Sequence, residues 1–238
     1  MSFPLSNQKP DLKFHYTNLE TCHEATGVVV VIDVIRAFTN AAYAFSRGAK
    51  GIYPVSTVEE ALNFKAQIPN SLACGEVGGV PPEGFDFGNS PTQTSTMDLD
   101  GCIIVQRTGA GTQGIVRSVN AETILAASLV VASATVTYIQ KLEPDSVTFV
   151  ITGQFDNRGD EDLACAEYLE ALLKGKPTDP APYIDRIYHS RDAFFHLSES
   201  FPAFPKSDLD HCINIDTFDF AMPVFRENGR FVMRAVKP

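Results

Sequence analysis

Asp33 is the residue whose position most suggests chemistry, because it lies in the aliphatic run of residues 28–34. Burying a carboxylate without a partner costs free energy, so Asp33 needs a cation, a helix-terminal amide or a metal ion. Its structural interpretations are a cap on the following helix and an ion pair with Arg36. Its functional interpretations are Mg²⁺ ligation and nucleophilic attack on phosphorus. The sequence leaves these interpretations open.

A second candidate is the glycine-rich segment of residues 107–112, Arg-Thr-Gly-Ala-Gly-Thr, which follows another β-rich run. It offers a guanidinium, two hydroxyls and several backbone N–H groups, and a helix N-terminus reached through glycines suits a phosphate or carboxylate. The segment lacks the Gly-Lys-Ser/Thr ending of a Walker A motif, and its literal GxGxxG match is weak. A tight turn without a ligand is the alternative.

The loop of residues 81–91 contains aromatic residues, glycines and prolines, a composition typical of a functional segment or a packed Ω-loop. Asn89 and Ser90 could hold an anion there. Alternatively, Ser90 caps a helix that begins at Pro91.

Acidic residues 160–162 begin the clearest amphipathic helix, 160–174. Acids in a first turn complement the helix dipole, which accounts for Asp160 and Glu161 without a ligand. Asp162 is the better metal candidate because it can face inward beside the apolar residues of the helix.

The histidines and cysteines give weaker signals. The five histidines show no HExxH spacing, and we expect His189 and His196 to be surface or core residues. The five cysteines show no CxxC spacing, which indicates free thiols in a reducing cytoplasm. Cys74 lies near Glu76 and could be a nucleophile, but a buried thiol is the expected state.

The elements that must position these residues alternate along the chain. Strands are predicted at 28–34, 51–55, 71–77, 101–107, 123–129 and 147–152, and helices at 36–47, 56–66, 112–119, 133–142, 160–174 and 183–198. The second helix begins with a predicted capping box at residues 56–59. This alternation favours an α/β fold whose mostly parallel sheet is covered on both faces. Ligands of such sheets bind beyond the carboxyl ends of the strands.

The C-terminal part departs from this alternation. Residues 221–236 are predicted to form a β-hairpin around Asn228 and Gly229. The edge of that hairpin could pair with a second copy, so we expect a homodimer. We interpret residues 1–238 as a single α/β domain, with a possible subdomain break near 175–183 that we favour as a surface loop.

The composition narrows the classes of function. The chain has 238 residues, 44% of them hydrophobic, which is enough for one large α/β domain and makes disorder improbable. The formal net charge of −10 argues against nucleic-acid and anionic membrane partners. No apolar run approaches the roughly 20 residues that span a bilayer, and the N-terminus does not read as a secretory signal.

Four segments together resemble the 2-phosphosulfolactate phosphatase family: residues 33–39, 75–79, 84–91 and 161–166. Their order and spacing are similar to the family's from about residue 28 to 173, and the Phe-Asp-x-Gly-Asn-Ser-Pro segment is the most specific. The resemblance implies a three-layer α/β/α fold. It also implies Mg²⁺-dependent removal of phosphate from 2-phospho-3-sulfolactate on the way to coenzyme M. The chain departs from the family at Arg107 and at Ala110, which stands where the family has asparagine.

Our leading hypothesis is therefore a Mg²⁺-dependent phosphatase acting on a small anionic phosphorylated acid. Asp33, Glu76 and Asp162 would supply hard oxygen ligands for Mg²⁺. Arg36 would neutralise charge on the phosphoryl group, and either Asp33 or a metal-bound water would attack it. The residues assigned to substrate binding are Thr39, Asn89, Ser90, Arg107, Thr108, Gly109, Gly111 and Thr112.

Two other classes stay open. A non-catalytic protein on the same scaffold could bind a phosphorylated or sulfonated metabolite, an idea motivated by the departures at Arg107 and Ala110. A lyase or transferase that acts on a phosphorylated acid is a weaker alternative.

Overall fold

The computed structural model of the chain describes residues 12–153 and 159–238. Its strands are β1 (Lys13–Asn18), β2 (Val28–Ile32), β3 (Gly51–Pro54), β4 (Ser71–Gly75), β5 (Ile103–Arg107), β6 (Thr123–Ala127), β7 (Ser146–Ile151), β8 (Met222–Glu227) and β9 (Arg230–Met233). They form one sheet in the order β1–β7–β2–β6–β8–β9–β3–β5–β4. The pairs that involve β8 or β9 are antiparallel, and the other pairs are parallel, as predicted.

Helices cover both faces of this sheet. They are α1 (Ala37–Ser46), α2 (Val58–Gln67), α3 (Pro91–Thr94), α4 (Gly111–Arg117), α5 (Ala132–Leu142), α6 (Asp160–Leu173), α7 (Ala181–Tyr188), α8 (Arg191–Leu197) and α9 (Lys206–Cys212). Short 3₁₀ turns lie at Cys22–Glu24 and Leu129–Val131. The arrangement is consistent with the expected three-layer α/β/α fold.

Strand β2 shows why the layers form. All five of its residues are aliphatic and buried, as is typical of a parallel strand covered on both faces. Val29 and Val31 pack into the apolar cluster that contains α1, whereas Val28, Val30 and Ile32 pack into the cluster under α5 and α6. The period of two in a strand thus divides one continuous apolar run between two cores.

The C-terminal hairpin forms where it was predicted, but it does not lie at an edge. Asn228 and Gly229 have φ values of 51° and 76°, the left-handed pair that a two-residue hairpin turn requires. On either side, β8 pairs with β6 and β9 pairs with β3. The expectation that the hairpin edge is available to a second copy is therefore wrong, since both of its strands already have partners. The homodimer stays a prediction without this support.

Other elements differ from the predicted ones. The predicted helix of residues 183–198 is two helices, because Ser190 accepts a hydrogen bond from the backbone N–H of Ala193 and begins α8. Strand β1 and helix α9 were not predicted. β1 is largely exposed and its sequence lacks a continuous apolar run, while α9 is only seven residues long.

The segment that joins α6 to α7 connects two helices that pack against each other. Arg186 of α7 donates hydrogen bonds to Asp160 and Glu167 of α6, at 2.8 and 2.5 Å. The rings of Tyr168 and Tyr183 lie 5.3 Å apart across the same contact. Residues 174–180 therefore run over the surface between two neighbouring helices.

Helix α2 begins with a capping box, although one residue later than predicted. Thr57 accepts a hydrogen bond from the Glu60 backbone N–H at 3.0 Å, and the Glu60 carboxylate accepts one from the Ser56 backbone N–H at 2.9 Å. We expect Thr57→Ala to lower the free energy of unfolding by about 1 kcal/mol, because an N-terminal donor of the helix loses its acceptor. Urea denaturation measures this change.

Thr57→Ser keeps the hydroxyl and serves as the control, with stability close to that of the wild type. If Thr57→Ala and Thr57→Ser were equally stable, the box would contribute nothing to the start of α2.

Candidate active site

A cavity of about 490 Å³ opens at the edge of the sheet where the parallel strands of both halves end. Asp33 follows β2, Glu76 follows β4, Gly109 and Ala110 follow β5, and Gly153 follows β7; all five line the cavity. The strands are far apart in the chain, but parallel pairing brings their carboxyl ends to one edge. The structure thus brings together most of the strand-end residues that the sequence singled out.

Asp33 is buried, with 6% of its surface exposed. Its Oδ1 accepts a hydrogen bond from the backbone N–H of Ala37, the first residue of α1, at 2.9 Å, so its interpretation as a helix cap is confirmed. Burial, followed by the nearby charges of Glu76 and Asp192, raises the pKa of Asp33 to about 6, against the hydrogen bonds from the Ala37 and Gly111 amides. The same carboxylate therefore begins a helix and places a charge at the cavity.

Arg36 turns away from Asp33 and pairs with Asp208 of α9. The Nη1–Oδ2 distance is 2.7 Å, and both side chains are almost fully buried. Arg36 also donates to the carbonyl oxygens of Ala203 and Gly79, and its guanidinium lies 4.8 Å from the centre of the Phe204 ring. The ion pair between Asp33 and Arg36 is therefore not formed. Arg36 still lines the cavity and brings a positive charge to it.

The second oxygen of Asp208 organises the loop that ends at Pro91. Its Oδ1 accepts hydrogen bonds from Ser90 Oγ at 2.6 Å and from the Thr92 backbone N–H at 3.0 Å. Ser90 in turn caps α3, as the structural interpretation predicts. Asn89 lines the cavity, and its buried Oδ1 has no hydrogen-bond partner among the described residues. Only Asn89 of this predicted pair thus belongs to the cavity wall.

Glu76 is held by two backbone amides. Its Oε1 accepts a hydrogen bond from Gly109 N–H at 2.5 Å and its Oε2 accepts one from Gly79 N–H at 2.8 Å. Gly109 and Gly111, whose N–H bonds to Asp33, belong to the segment of residues 107–112 that was expected to hold an external anion, whereas Gly79 lies outside it. Carboxylates of the chain itself occupy them instead.

The remaining substrate-binding candidates lie behind the cavity wall. Thr108 and Thr112 bond to each other, because each hydroxyl accepts the backbone N–H of the other residue, at 3.1 and 2.9 Å. Arg107 donates to the backbone carbonyls of Ser56 and Glu76. Thr39 donates to the Val34 carbonyl at 2.9 Å. None of these four side chains lines the cavity.

Asp162 also lies behind the cavity wall. Its Oδ1 accepts the backbone N–H of Val34 at 2.8 Å, and its Oδ2 accepts hydrogen bonds from Gly153 N–H and Thr152 Oγ1 at 2.9 and 3.2 Å. Burial, and then the charges of Glu161 and Asp33, raise its pKa well above the ordinary value. The geometry describes a residue that joins the ends of β2 and β7.

The sequence did not indicate Glu161 as a site residue, yet among the acids of this site its carboxyl has the fewest stabilising hydrogen bonds. It is 2% exposed, and its Oε2 has no hydrogen-bond partner in the part of the chain that the structure describes. Burial, the charge of Asp192 and that of Asp33 raise its pKa to about 8, and its carboxyl shares a hydrogen bond with Asp192. An acid in the first turn of a helix gives no sequence signal for this state, because the contact with α8 creates it.

The far wall of the cavity comes from α8 and the loop after it, a region in which the sequence indicated no site residues. Its members are Asp192, Phe195, His196, Phe201 and Phe204. Cys74, by contrast, is a buried thiol as expected: it donates to Gly88 O and accepts from Asn40 Nδ2, and burial raises its pKa.

The acidic groups fit Mg²⁺ in chemical type. Carboxylates are the ligands that Mg²⁺ prefers, and it commonly binds one or two of them together with water and phosphate oxygens. Asp33 lines the cavity, and the buried Oε2 of Glu161 has no hydrogen-bond partner among the described residues. Asp192 also lines the cavity, and its charge acts on the carboxyls of both Asp33 and Glu161. In the part of the chain that the structure describes, no three acidic, histidine or cysteine side chains form a preassembled metal-binding group.

The fold and the site define an α/β protein with an acidic cavity at the carboxyl edge of its sheet. The sequence model of the family described as 2-phosphosulpholactate phosphatase matches residues 14–228. The chain therefore belongs to the 2-phosphosulfolactate phosphatase family, which confirms the resemblance.

Curated relatives agree with this assignment, and each is named "Probable 2-phosphosulfolactate phosphatase". The relative from Bacillus subtilis is 35% identical over 82% of this chain and 86% of its own length. The relative from Carboxydothermus hydrogenoformans is 32% identical over 95% of this chain and 98% of its own length.

Among the helices within residues 12–153 and 159–238, none is long and apolar enough to cross a membrane.

Gly111 allows α4 to approach Asp33 closely. A Cβ atom at this position would lie 2.7 Å from Asp33 Oδ2 and 2.9 Å from Ala37 Cβ. We expect Gly111→Ala to lower the free energy of unfolding by about 1–3 kcal/mol, because the carboxylate or the helix must move. Chemical denaturation measures the change.

Gly88→Ala is the matched control, since its Cβ would meet Pro81 at an ordinary 3.5 Å. Equal stability of the two variants would show that the Asp33 carboxylate has room to move.

The raised pKa of Glu161 predicts how stability depends on pH. A carboxyl whose folded pKa is about 8 binds its proton more tightly in the folded than in the unfolded state, so its stabilising contribution is lost as pH rises to 8. In EDTA we expect the free energy of unfolding to fall by about 2–4 kcal/mol between pH 5 and 8.5. Glu161→Gln should flatten this decline.

Glu20→Gln is the control, because Glu20 is exposed. Parallel stability curves for the wild type and Glu161→Gln would contradict the assignment of the titration to Glu161.

Proposed function

We propose that the chain is a Mg²⁺-dependent phosphatase that releases phosphate from an ester of a small hydroxy acid. Its first candidate substrate is 2-phospho-3-sulfolactate, with 3-sulfolactate as the product. Membership of the family supports the reaction type. The observation that carries the proposal is Asp33, a buried carboxylate fixed by backbone amides at the edge of a cavity of other acids.

The chain provides one negative and one positive side chain, Asp33 and Arg36, that can act on a phosphoryl group. Asp33, with a pKa of about 6, is largely ionised at neutral pH and can attack phosphorus or orient a water molecule that does so. Arg36 supplies positive charge, although it shares that charge with Asp208. The cavity acids would repel a dianionic phosphate unless a cation offsets them, which is the physical reason for including a metal.

Mg²⁺ bound in this cavity would neutralise phosphoryl charge and hold the phosphate in place. Asp33 and Glu76 of the predicted ligand set line the cavity, and Asp162 does not. Asp192, which also lines the cavity, completes the group that we propose to hold the ion, and Glu161 contacts Asp192 from behind the cavity wall. Burial of Asp33 and Glu161 favours their protonated forms, and a cation would replace those protons.

Two features bear on the binding-protein alternative. Its motivation was the cation of Arg107 and the substitution at Ala110. The Arg107 guanidinium bonds to the backbone carbonyls of Ser56 and Glu76 and does not line the cavity. Only Ala110 alters the cavity wall, which leaves the alternative without a specific observation in its favour. The expected cytoplasmic location, homodimer and role in forming coenzyme M remain predictions.

The decisive assay measures phosphate release from 2-phospho-3-sulfolactate and other phosphorylated three-carbon acids, with MgCl₂ or with EDTA. We expect activity with MgCl₂, its loss in EDTA, and a fall of at least about 100-fold in Asp33→Asn, which lacks the nucleophile or base. Circular dichroism and thermal melting check that the variant is folded. Asp145→Asn is the control, because Asp145 is exposed and outside the cavity.

Each other outcome has a separate meaning. A substrate that raises the melting temperature without being consumed would support a binding protein. Activity in EDTA would show that the reaction does not require Mg²⁺. A ³²P label from the substrate that stays on the acid-quenched wild type, and that peptide mapping locates on Asp33, would show attack by Asp33, whereas a quenched enzyme without label would favour attack by water.

A further inference from the structure

His196 lies on α8 and lines the same cavity as Asp33 and Arg36. Its side chain is almost fully buried, with 3% of the residue exposed. Nδ1 lies 2.9 Å from the carbonyl oxygen of Pro205. Because a carbonyl oxygen only accepts hydrogen bonds, Nδ1 carries a proton, and in the neutral ring Nε2 carries the lone pair.

The Nε2 atom of His196 is buried and has no hydrogen-bond partner among residues 12–153 and 159–238. A buried polar atom without a partner costs about 1–3 kcal/mol, so such an atom in a native structure calls for an explanation. Asn89 Oδ1, on another residue of the same cavity, is in the same state. Two unsatisfied atoms on one cavity wall indicate that a bound molecule supplies their partners.

We propose that His196 is a further catalytic residue, whose Nε2 donates a proton to the ester oxygen of the substrate as that oxygen leaves phosphorus. This role rests on the proposed phosphatase function. The bond between phosphorus and the ester oxygen breaks, and its electron pair stays on that oxygen. The oxygen takes the Nε2 proton and becomes the product hydroxyl. The water molecule that completes hydrolysis returns a proton to Nε2.

The hydrogen bond to Pro205 suits this role in both states of the ring. Nδ1 keeps its proton whether or not Nε2 has one, so the imidazole does not need to turn between donating to the ester oxygen and accepting from the new hydroxyl. The ring also packs edge-on against Phe204, with 5.4 Å between the ring centres. A fixed donor of this kind loses little conformational freedom during the reaction.

Burial is the main reason that His196 releases its proton readily. Burial and the positive charge of Arg36 lower the pKa of the imidazole, while Asp208 on α9 acts in the opposite direction. Asp192 lies on the same helix, and Asp33 and Glu76 line the cavity from the strand ends. An imidazolium in this place is a stronger acid than in water, and it becomes neutral when it protonates the leaving group.

The test uses a substitution that keeps the Pro205 contact. In His196→Asn the amide NH₂ takes the place of Nδ1–H, and Nε2 is lost. We expect kcat for 2-phospho-3-sulfolactate to fall about 100-fold. We also expect the decline of kcat that accompanies deprotonation of Nε2 as the pH rises to disappear. His189→Asn is the matched control, because His189 is exposed and outside the cavity.

A second substrate separates catalysis from structure. The leaving group of 4-nitrophenyl phosphate departs without a proton, so its turnover by His196→Asn should stay within about fivefold of the wild type. Equal losses on both substrates, unchanged turnover of 2-phospho-3-sulfolactate, or a retained decline of kcat with rising pH would each overturn the role of His196. If the wild type leaves the aryl ester intact, the pH profile decides. If the wild type releases phosphate from no ester, the proposed function itself fails.

Discussion

The buried ion pair between Arg36 and Asp208 is the interaction on which the rest of the site depends. Removing two charges from water costs several kcal/mol for each ion, and their attraction offsets that cost only when every remaining donor and acceptor has a partner. The chain meets this condition with the carbonyls of Ala203 and Gly79 on one side and with Ser90 and Thr92 on the other. Four separate segments are therefore held around one pair of charges, and they enclose the cavity.

The acids of the site divide by how their charge is compensated. Backbone amides stabilise Asp33, Glu76 and Asp162, whereas Glu161 relies on a carboxyl neighbour. A structure optimised for stability alone would not gather these groups, because burial of each one favours its neutral form. A group of buried carboxylates at one cavity is physically sensible in a site that receives a cation, and it is difficult to explain as packing.

Local patterns in the sequence predict the elements and the residues at their ends. The aliphatic run before Asp33 defines β2 without reference to the rest of the chain, and parallel pairing then brings the strand ends together. Local patterns do not predict the roles of residues that depend on tertiary partners. Nothing local marks Asp208 as the partner of Arg36, or Glu161 as buried, since α9 and α8 decide both. The glycine-rich segment suits an anion, as its sequence indicates, but the anions are the chain's own carboxylates.

The hairpin of β8 and β9 lies between the half of the sheet that carries Asp33 and the half that carries Glu76. On a ribosome, the strands of both halves emerge well before residues 222–233, and until then β6 and β3 each present an unpaired edge. Such edges invite pairing with other chains, and contacts that join distant residues form slowly. The two walls of the cavity thus gain a continuous backbone connection only after residues 222–233 have been synthesised. Aggregation of nascent chains is the hazard that accompanies this topology.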